Sequence, residues 1–254
     1  MLEAVHLRKN YASLPAVQDL SFTLHGGMVL GCLGPNGSGK STTVKMLTGL
    51  LEPTRGVVQF EGRRIQDDLQ GYRQRLGYVP EEAYLYPYLS GWEYLEMIGT
   101  LRDMPRQLME SKIDSLLELF SLYPHRHGSI GTYSKGMRQR ILLIAAIMHD
   151  PQIFIFDEPL SGLDVTSALI FKNLVQELGR DGKLVFYCSH VLEVVEKVCS
   201  DVLILRKGVV IAQDSVTNIR KIIGQSLENT FLHLVDDVDT MSVARDIIGV
   251  MRAA

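Results

Sequence analysis

Cysteine is scarce in this chain, and neither sign of charge is in clear excess. The 254 residues include three cysteines, Cys32, Cys188 and Cys199, which lie far apart and form no Cys-x-x-Cys pair. This spacing argues against a disulfide framework or a zinc site, and it is typical of proteins of the reducing cytosol. Basic residues number 26 and acidic residues 29, so the formal net charge is -3. The basic excess of proteins that coat nucleic acid or anionic lipid is therefore missing.

Long hydrophobic runs are absent as well. The longest apolar stretch, Ile141–Met148, is much shorter than the roughly 18 residues that a membrane-spanning helix needs. The first residues contain no apolar core of signal-peptide length, so we expect any membrane role to depend on a partner. With 46% hydrophobic and 22% charged residues, the composition is that of a globular protein rather than of a disordered or fibrous one.

Short patterns along the chain predict an α/β fold. Leu20, Phe22 and Leu24 alternate with polar residues, and the run at 57–60 is similar, as in strands of a partly solvated sheet. Continuous apolar runs bounded by Gly, Asp or Ser favour parallel strands that helices cover on both faces. Four runs have this character: Val29–Leu33, Ile153–Phe156, Leu184–Tyr187 and Val202–Leu205.

The middle of the chain has a helical pattern instead. Ile113, Leu116, Leu117 and Phe120 share one helical face, and the apolar run at 141–148 ends before a proline. The economical interpretation is a helical subdomain, at about residues 89–150, inserted in an α/β domain that spans 1–214. A short strand is predicted at 209–211. Residues 215–254 predict a short C-terminal helical extension.

Residues 34–42 carry the most specific motif. They follow the buried run at 29–33 and match G-x-x-x-x-G-K-[ST] as Gly34, Pro35, Asn36, Gly37, Ser38, Gly39, Lys40, Ser41 and Thr42. The glycines let consecutive backbone N–H groups converge on phosphate oxygens, at the positive end of the following helix. In this pattern Lys40 contacts the β- and γ-phosphates, and the Ser41 hydroxyl coordinates Mg²⁺. The alternative is a glycine-rich turn that matches by chance.

A second buried run ends in two carboxylates, Asp157 and Glu158. Asp157 is the candidate for the Mg²⁺ shell, and Glu158 for the base that orients or deprotonates the attacking water. Taken alone, Asp157 would equally fit a cap of the following segment. His190 reaches the same sheet edge after the run at 184–187, so it is a candidate sensor of the γ-phosphate. An isolated histidine there would be an ordinary surface residue.

Residues 133–140, Tyr-Ser-Lys-Gly-Met-Arg-Gln-Arg, resemble the signature motif of ATP-binding cassette (ABC) ATPases. The resemblance covers about residues 2–214 and implies a RecA-like P-loop NTPase core, an N-terminal antiparallel β portion and the inserted helical subdomain. The family's other motifs follow in order: Tyr11 as the aromatic that stacks on adenine, Gly34–Thr42 as Walker A, Gly77–Glu81 as the Q-loop, Ile153–Glu158 as Walker B, Ser161–Asp164 as the D-loop and Ser189–His190 as the H-loop.

The resemblance also implies a dimer joined by nucleotide. In that family each ATP lies between the Walker A loop of one subunit and the signature motif of the other, which assigns Ser134 and Gly136 to ATP binding. Ser134 would also fit a plain helix N-cap. The implied function is an ATPase with ATP and Mg²⁺ as cofactors, which drives separate membrane (permease) subunits from the cytoplasmic face of the cell membrane. A full set of motifs in one chain favours a homodimer, and no nucleic acid partner is expected.

Two motifs depart from the usual family pattern. Glu81 stands where the Q-loop usually has Gln, while Lys135 and Met137 replace Gly and Gln in the signature motif. A carboxylate still offers oxygen to Mg²⁺, so Glu81 is a candidate metal ligand and catalytic residue, although it cannot donate a hydrogen bond. Both departures resemble the branch that serves exporters with separately encoded membrane subunits. Export is expected on that ground.

Replacing Glu81 by Gln restores the usual family residue. We expect Glu81→Gln to keep ATP hydrolysis within about tenfold of the parent, or ~1.4 kcal/mol in barrier, because an amide oxygen can still face the cation. Steady-state phosphate release measures this. A collapse of activity would show that the carboxylate has chemistry of its own.

Aromatic residues cluster between the Q-loop and the helical region: Tyr84, Tyr86, Tyr88, Trp92 and Tyr94. Tyr and Trp are favoured at protein interfaces, and in the resembled family this region receives a short helix of the membrane subunit. The alternative is that the rings pack inside the junction of the two subdomains.

A soluble cassette protein that acts on ribosomes or DNA is the alternative function. Those relatives carry two cassettes in one chain or a long coiled-coil insertion, and neither is recognisable in this sequence. A GTPase is excluded because no Asn-Lys-x-Asp motif is present, and a kinase has no need of a signature motif. His125 and His127 lack a third ligand, so we expect no metal there. The segment at 226–232 resembles the C-terminal helix of single-cassette exporter ATPases.

Overall fold

A computed structural model describes residues 1–12, 14–82 and 84–223, and beyond them Arg245, Ile247, Ile248, Val250 and Met251. The segment at 226–232 lies outside these residues. The described strands are β1 (Leu2–Tyr11), β2 (Leu14–Leu24), β3 (Val29–Leu33), β4 (Arg55–Phe60), β5 (Arg63–Arg64), β6 (Leu76–Val79), β7 (Ile153–Asp157), β8 (Leu184–Cys188), β9 (Asp201–Arg206) and β10 (Val209–Ser215). The described helices are α1 (Lys40–Leu47), α2 (Leu69–Gln74), α3 (Gly91–Leu101), α4 (Arg106–Leu119), α5 (Lys135–Ile147), α6 (Val165–Arg180), α7 (Leu192–Val198) and α8 (Val216–Ile223).

All ten strands of the described residues belong to one sheet, in the order β5-β4-β1-β2-β10-β9-β3-β8-β7-β6. The run from β9 through β3, β8 and β7 to β6 is parallel, whereas β1 pairs antiparallel with both β2 and β4. The two parts join where β10 runs parallel to β2, with Val209 opposite Asp19. The predicted RecA-like core with an N-terminal antiparallel portion is therefore confirmed.

Helices cover both faces of the parallel strands, as the continuous apolar runs predict. Every residue of β3, β7 and β8 is buried. On one face, Val44 and Met46 of α1 pack with the antiparallel strands. On the other face, Phe171 of α6 and Val195 of α7 are fully buried against the sheet. The core therefore leaves only the strand ends and their loops free for chemistry.

Helices α3, α4 and α5, which lie between β6 and β7 in the sequence, enclose a separate core. Ile113 and Leu117 of α4 are fully buried there with Ile141 and Ile144 of α5. Helix α3 begins with a capping box, in which Ser90 accepts a hydrogen bond from the Glu93 N–H and the Glu93 carboxylate accepts one from the Ser90 N–H. None of the helices in the described part of the chain is long and apolar enough to cross a membrane.

Candidate nucleotide site

The loops that follow β3, β6, β7 and β8 enclose one cavity at the carboxyl edge of the parallel strands. Its volume is about 230 Å³, and its lining residues are Ala16, Asn36, Gly37, Gly39, Lys40, Ser41, Thr42, Glu81, Asp157, Glu158 and His190. Apart from Ala16, the sequence predicts a role in nucleotide binding, metal binding or catalysis for every one of these residues. The cavity thus joins the phosphate loop to the Q-loop, Walker B and H-loop candidates.

The phosphate loop has a conformation that glycine makes possible. Gly37 has φ +77° and Gly39 has φ +106°, in the left-handed region that disfavours side chains. A Cβ on Gly39 would lie 2.7 Å from the Ala16 carbonyl oxygen. Helix α1 starts directly after Gly39, so its unpaired first-turn N–H groups and its positive dipole end lie at the cavity. These groups have the chemistry that anionic oxygens require.

Lys40 lies across the phosphate loop with its side chain buried. Its ammonium donates hydrogen bonds to the carbonyl oxygens of Gly34, at 2.6 Å, and Pro35, at 3.1 Å. Gly34 and Pro35 do not line the cavity. Their carbonyl oxygens hold the Lys40 ammonium beside it. Ser38 also stays out of the cavity, and its buried hydroxyl has no hydrogen-bond partner in the described part of the chain.

Asp157 brings a buried negative charge to the cavity. Burial, together with the nearby carboxylates of Glu81 and Glu158, raises the pKa of Asp157 to about 6, although Lys40 and Lys45 oppose that shift. A cation bound beside these carboxylates would offset their mutual repulsion. Among the residues that the structure describes, no three His, Cys, Asp or Glu side chains come close enough to hold a metal ion by themselves.

Glu158 is fixed by the H-loop. Its Oε1 atom accepts a hydrogen bond from the His190 N–H at 2.7 Å and lies 2.8 Å from His190 Nδ1, and its Oε2 atom accepts one from the Ser189 hydroxyl at 3.3 Å. Glu158 has φ +48°, and its own N–H donates to the carbonyl of Cys188 at 3.1 Å. The strained backbone and these contacts hold the carboxylate in one position, as a catalytic base requires.

Comparison with known proteins gives the family. Residues 17–161 match the family model described as ABC transporter. The ABC transporter ATP-binding protein NatA of Bacillus subtilis (strain 168) is 36% identical over 205 residues, which cover 80% of this chain and 83% of NatA. The ABC-type transporter ATP-binding protein EcsA of the same organism is 30% identical over 240 residues, 93% of this chain and 97% of EcsA. The chain belongs to the ABC transporter family.

Solved structures agree with this assignment. A structure described as the ATP-binding subunit of an ABC transporter has a TM-score of 0.87 and 30% identity, and the match covers 92% of this chain and 99% of that one. The dimeric ATP-binding cassette MJ0796, bound to ADP and Pi, has a TM-score of 0.79 at 23% identity, covering 85% and 99%, and shows the shared fold. The predicted family and its ATPase activity are thereby confirmed.

Besides Gly34, Pro35 and Ser38 of the phosphate loop, three further nucleotide-binding candidates of this ABC ATPase lie outside the cavity. Tyr11 ends β1 half exposed, with the Lys9 ammonium 5.9 Å from its ring centre. Ser134 is exposed and caps α5, because its hydroxyl accepts a hydrogen bond from the Met137 N–H. At Gly136, a Cβ would lie 2.7 Å from the Gly162 carbonyl oxygen, so the signature motif abuts the D-loop of the same chain. A role of Ser134 and Gly136 in binding ATP stays a prediction.

The aromatic cluster divides into exposed and packed members. Tyr84, Tyr86 and Tyr88 are exposed, by 82%, 60% and 94%, which is what an interface segment requires. Trp92 is half-buried and its indole N–H donates to Asp114, while Tyr94 is buried in the helical core. The packed interpretation therefore holds for Trp92 and Tyr94, and an interface role of the three exposed tyrosines stays a prediction. His125 and His127 are exposed and belong to no metal cluster among the described residues.

Two residues that sequence reasoning missed contribute to the site. Ala16 of β2 lines the cavity, and no chemical signal marks it in the sequence. Gln139 of α5 is buried, and its amide donates to the Pro159 carbonyl at 2.9 Å. This bond ties the signature helix to the segment that directly follows Glu158. Nothing in the sequence around Gln139 indicates this contact.

We expect Asp157→Asn to stabilise the nucleotide-free ABC ATPase at neutral pH. A carboxyl group whose pKa is raised by folding takes up a proton as the chain folds, so its contribution to stability falls as pH rises from about 4 through 6. With a raised pKa of about 6, the ionised group costs about 1–3 kcal/mol above pH 7. Urea unfolding at pH 5 and pH 7.5 measures the increase in the free energy of unfolding, which must be larger at pH 7.5. The variant is also expected to lose ATP hydrolysis.

The exposed Asp181 supplies the control for this prediction. Asp181→Asn removes the same charge from the end of α6, far from the cavity, and is expected to leave the unfolding free energy nearly unchanged at both pH values. A loss of stability at pH 7.5 in Asp157→Asn would contradict the electrostatic account. It would show that the carboxylate stabilises the nucleotide-free fold.

Proposed function

We propose that this chain is the ATP-hydrolysing subunit of a membrane ABC exporter. Two copies would enclose two Mg-ATP and drive separate membrane subunits from the cytoplasmic face. The observation that carries the hydrolytic role is the Glu158 carboxylate, which is fixed by Ser189 and His190 in the same cavity as Lys40 and Asp157. The exporter role rests on the form of the signature motif and the Q-loop, which resemble those of single-cassette exporters.

The residues of the cavity fit a magnesium ion bound together with a triphosphate. Mg²⁺ is commonly held by one or two carboxylates, with phosphate oxygens and water completing its shell. The Ser41 hydroxyl and the Asp157 carboxylate would hold it, and Glu81 faces the same cavity. Bound there, the ion would neutralise phosphate charge. It would also meet the demand for a cation that the carboxylates create.

The chain's own residues then account for hydrolysis. The glycine loop and the first turn of α1 bind the phosphates, and the Lys40 ammonium exchanges its carbonyl partners for phosphate oxygens. Glu158 accepts a hydrogen bond from the attacking water and takes its proton. His190 Nδ1, at 2.8 Å from Oε1, keeps that carboxylate aimed, and the opposite ring nitrogen donates to a γ-phosphate oxygen when both ring nitrogens carry a proton.

The placement of the signature motif supports a dimer. Ser134 is exposed at the start of α5, and neither it nor Gly136 lines the cavity of its own chain. A helix start of this kind is a suitable partner for phosphate oxygens, so a second copy would complete the site. The dimeric MJ0796 cassette is a structural precedent for such an arrangement.

Light scattering on purified Glu158→Gln tests the dimer. ATP is expected to convert this variant from monomer to dimer, because a hydrolysis-deficient site retains the nucleotide that joins the two copies. The same variant with ADP serves as the control and should stay monomeric. A monomer at saturating ATP would overturn the homodimer while leaving hydrolysis by the wild type to be judged separately.

Affinity purification from gently solubilised native membranes tests the transport role. A multi-span membrane protein recovered in roughly equal amount is expected, and that subunit would indicate the cargo. ATP-driven uptake into inverted vesicles that contain both subunits then tests export. Recovery of ribosomal or DNA-bound partners alone would favour the soluble alternative and overturn the transporter.

A further inference from the structure

The turn between β9 and β10 packs behind the phosphate loop. Lys207 and Gly208 form this turn with φ +49° and +77°. The Gly208 N–H donates a hydrogen bond to the Ser38 carbonyl at 3.0 Å, and the Gly208 carbonyl accepts one from the Gln18 N–H at 2.8 Å. The turn thus connects the loop that would hold phosphate to strand β2.

The hydrogen bond from Gly208 to the Ser38 carbonyl also orients the Gly39 N–H, which belongs to the same peptide unit. In a planar trans peptide the carbonyl and the following N–H point in opposite directions, and no described peptide is cis. Because the Ser38 carbonyl accepts from the Gly208 N–H, the Gly39 N–H points in the opposite direction, away from the turn. Gly39 lines the nucleotide cavity. The turn therefore sets the direction of the N–H donor of a residue that lines the cavity.

Three backbone segments meet here without room for a side chain. A Cβ on Gly39 and a Cβ on Gly208 would each lie 2.7 Å from the Ala16 carbonyl oxygen. The Gly39 Cβ position is also 3.7 Å from the Gly208 Cα. Ala16 itself lines the cavity. A shift of the turn would therefore displace the phosphate loop or the wall of the cavity, because backbone atoms cannot move aside independently.

Strand β2 holds the turn in place. The Gln18 side-chain amide donates to the Lys207 carbonyl at 2.8 Å, in addition to the backbone bond from Gln18 to Gly208. One residue further on, Val209 pairs with Asp19 at the junction of the parallel and antiparallel parts of the sheet. The turn is therefore anchored in the sheet.

We propose that Gly208 is a positioning residue for nucleotide binding, which acts by holding the Ser38–Gly39 peptide in the orientation that binds phosphate. The proposal rests on nucleotide binding in this cavity. Gly208 acts through the phosphate loop and does not line the cavity. Its substitution should weaken the binding of phosphate-bearing nucleotides and leave the chemistry of the bound nucleotide nearly intact.

The β4–β5 turn provides a matched control. Glu61 and Gly62 have φ +52° and +77°, nearly the values of Lys207 and Gly208, and a Cβ on Gly62 would meet nothing within 4 Å. Gly62→Ala and Gly208→Ala therefore incur the same conformational cost. Only Gly208→Ala disturbs the phosphate loop.

The experiment compares the dissociation constants of Mg-ATP and of adenosine for the wild type and the two variants. We expect Gly208→Ala to weaken Mg-ATP binding about tenfold and adenosine binding less than about twofold. Gly62→Ala should stay within about twofold of the wild type for both ligands. In steady-state assays, KM should rise in Gly208→Ala while kcat changes by less than about threefold.

A second variant keeps the test decisive if Gly208→Ala does not fold. Gln18 is exposed, so Gln18→Ala should fold, and it removes the side-chain bond to the Lys207 carbonyl. We expect about threefold weaker Mg-ATP binding. Equal Mg-ATP affinity in the wild type and every folded variant, or equal weakening of ATP and adenosine, would overturn the proposal. A wild type that binds no ATP would refute the proposed function instead.

Discussion

Glu158→Gln is expected to lower the turnover of ATP by about 10²–10⁴-fold, the usual contribution of a positioned general base. An amide cannot take the proton of the attacking water. The structure shows that the carboxylate is already aimed, since Ser189 and His190 hold both of its oxygens. Phosphate release in a steady-state assay measures the loss. At protein concentrations low enough to keep the variant monomeric, binding of a fluorescent ATP analogue should stay within about threefold, because no phosphate contact is removed.

The neighbouring carboxylate Glu82 provides the control for this prediction. It is exposed beside the Q-loop and does not line the nucleotide cavity. Glu82→Gln removes one negative charge from the same region and should leave turnover within about twofold. If Glu158→Gln kept more than about a tenth of the parent turnover, the loss would be less than a base supplies, and another group would have to take the proton.

Lys40→Met is expected to weaken Mg-ATP binding by about 100-fold, equivalent to ~2.7 kcal/mol. The ammonium is the cation of the phosphate loop, held by the Gly34 and Pro35 carbonyls. Methionine keeps most of the length of the side chain but offers no donor. The Lys40 charge also lowers the pKa of Asp157, so its loss would favour the protonated form of that carboxyl and reduce its affinity for a metal ion.

Lys45→Met separates these local effects from charge in general. Lys45 is exposed in the last turn of α1 and also lowers the pKa of Asp157, but the structure shows no contact from it to the loop carbonyls. Calorimetric titration with Mg-ATP should show less than about threefold weakening in Lys45→Met. A similar loss of Mg-ATP affinity in the two variants would mean that net charge, and not the position of Lys40 in the loop, determines affinity.

The phosphate loop was predictable because its chemistry is local in sequence. Consecutive residues form the loop and the start of α1, so a continuous pattern specifies both the donors and their backbone. Burial of β3, β7 and β8 followed for a similar reason, since an apolar run without polar alternation favours a strand covered on both faces. The positions of Lys40 and Asp157 in the cavity follow from those two features.

The support of Glu158 was beyond the reach of the sequence. Its partners lie in the H-loop, and they meet Glu158 only because β7 pairs with β8 in a register that sets Asp157 opposite Cys188. His190 was a candidate for contact with phosphate, and its observed bond to a carboxylate required that register. The aromatic cluster shows the same limit, because composition cannot separate the exposed Tyr88 from the buried Tyr94.

The insertion of the helical region between β6 and β7 has a consequence for folding. These two strands pair in parallel, with Leu76 opposite Ile153, although the whole of α3, α4 and α5 separates them in sequence. Contacts so distant along the chain form slowly, whereas helices with a local core form fast. We therefore expect the helical region to form its own core before β6 pairs with β7 during synthesis. The ability to bind Mg-ATP would then appear late in folding, when Glu81, which follows β6, and Asp157, at the end of β7, reach the same edge of the sheet.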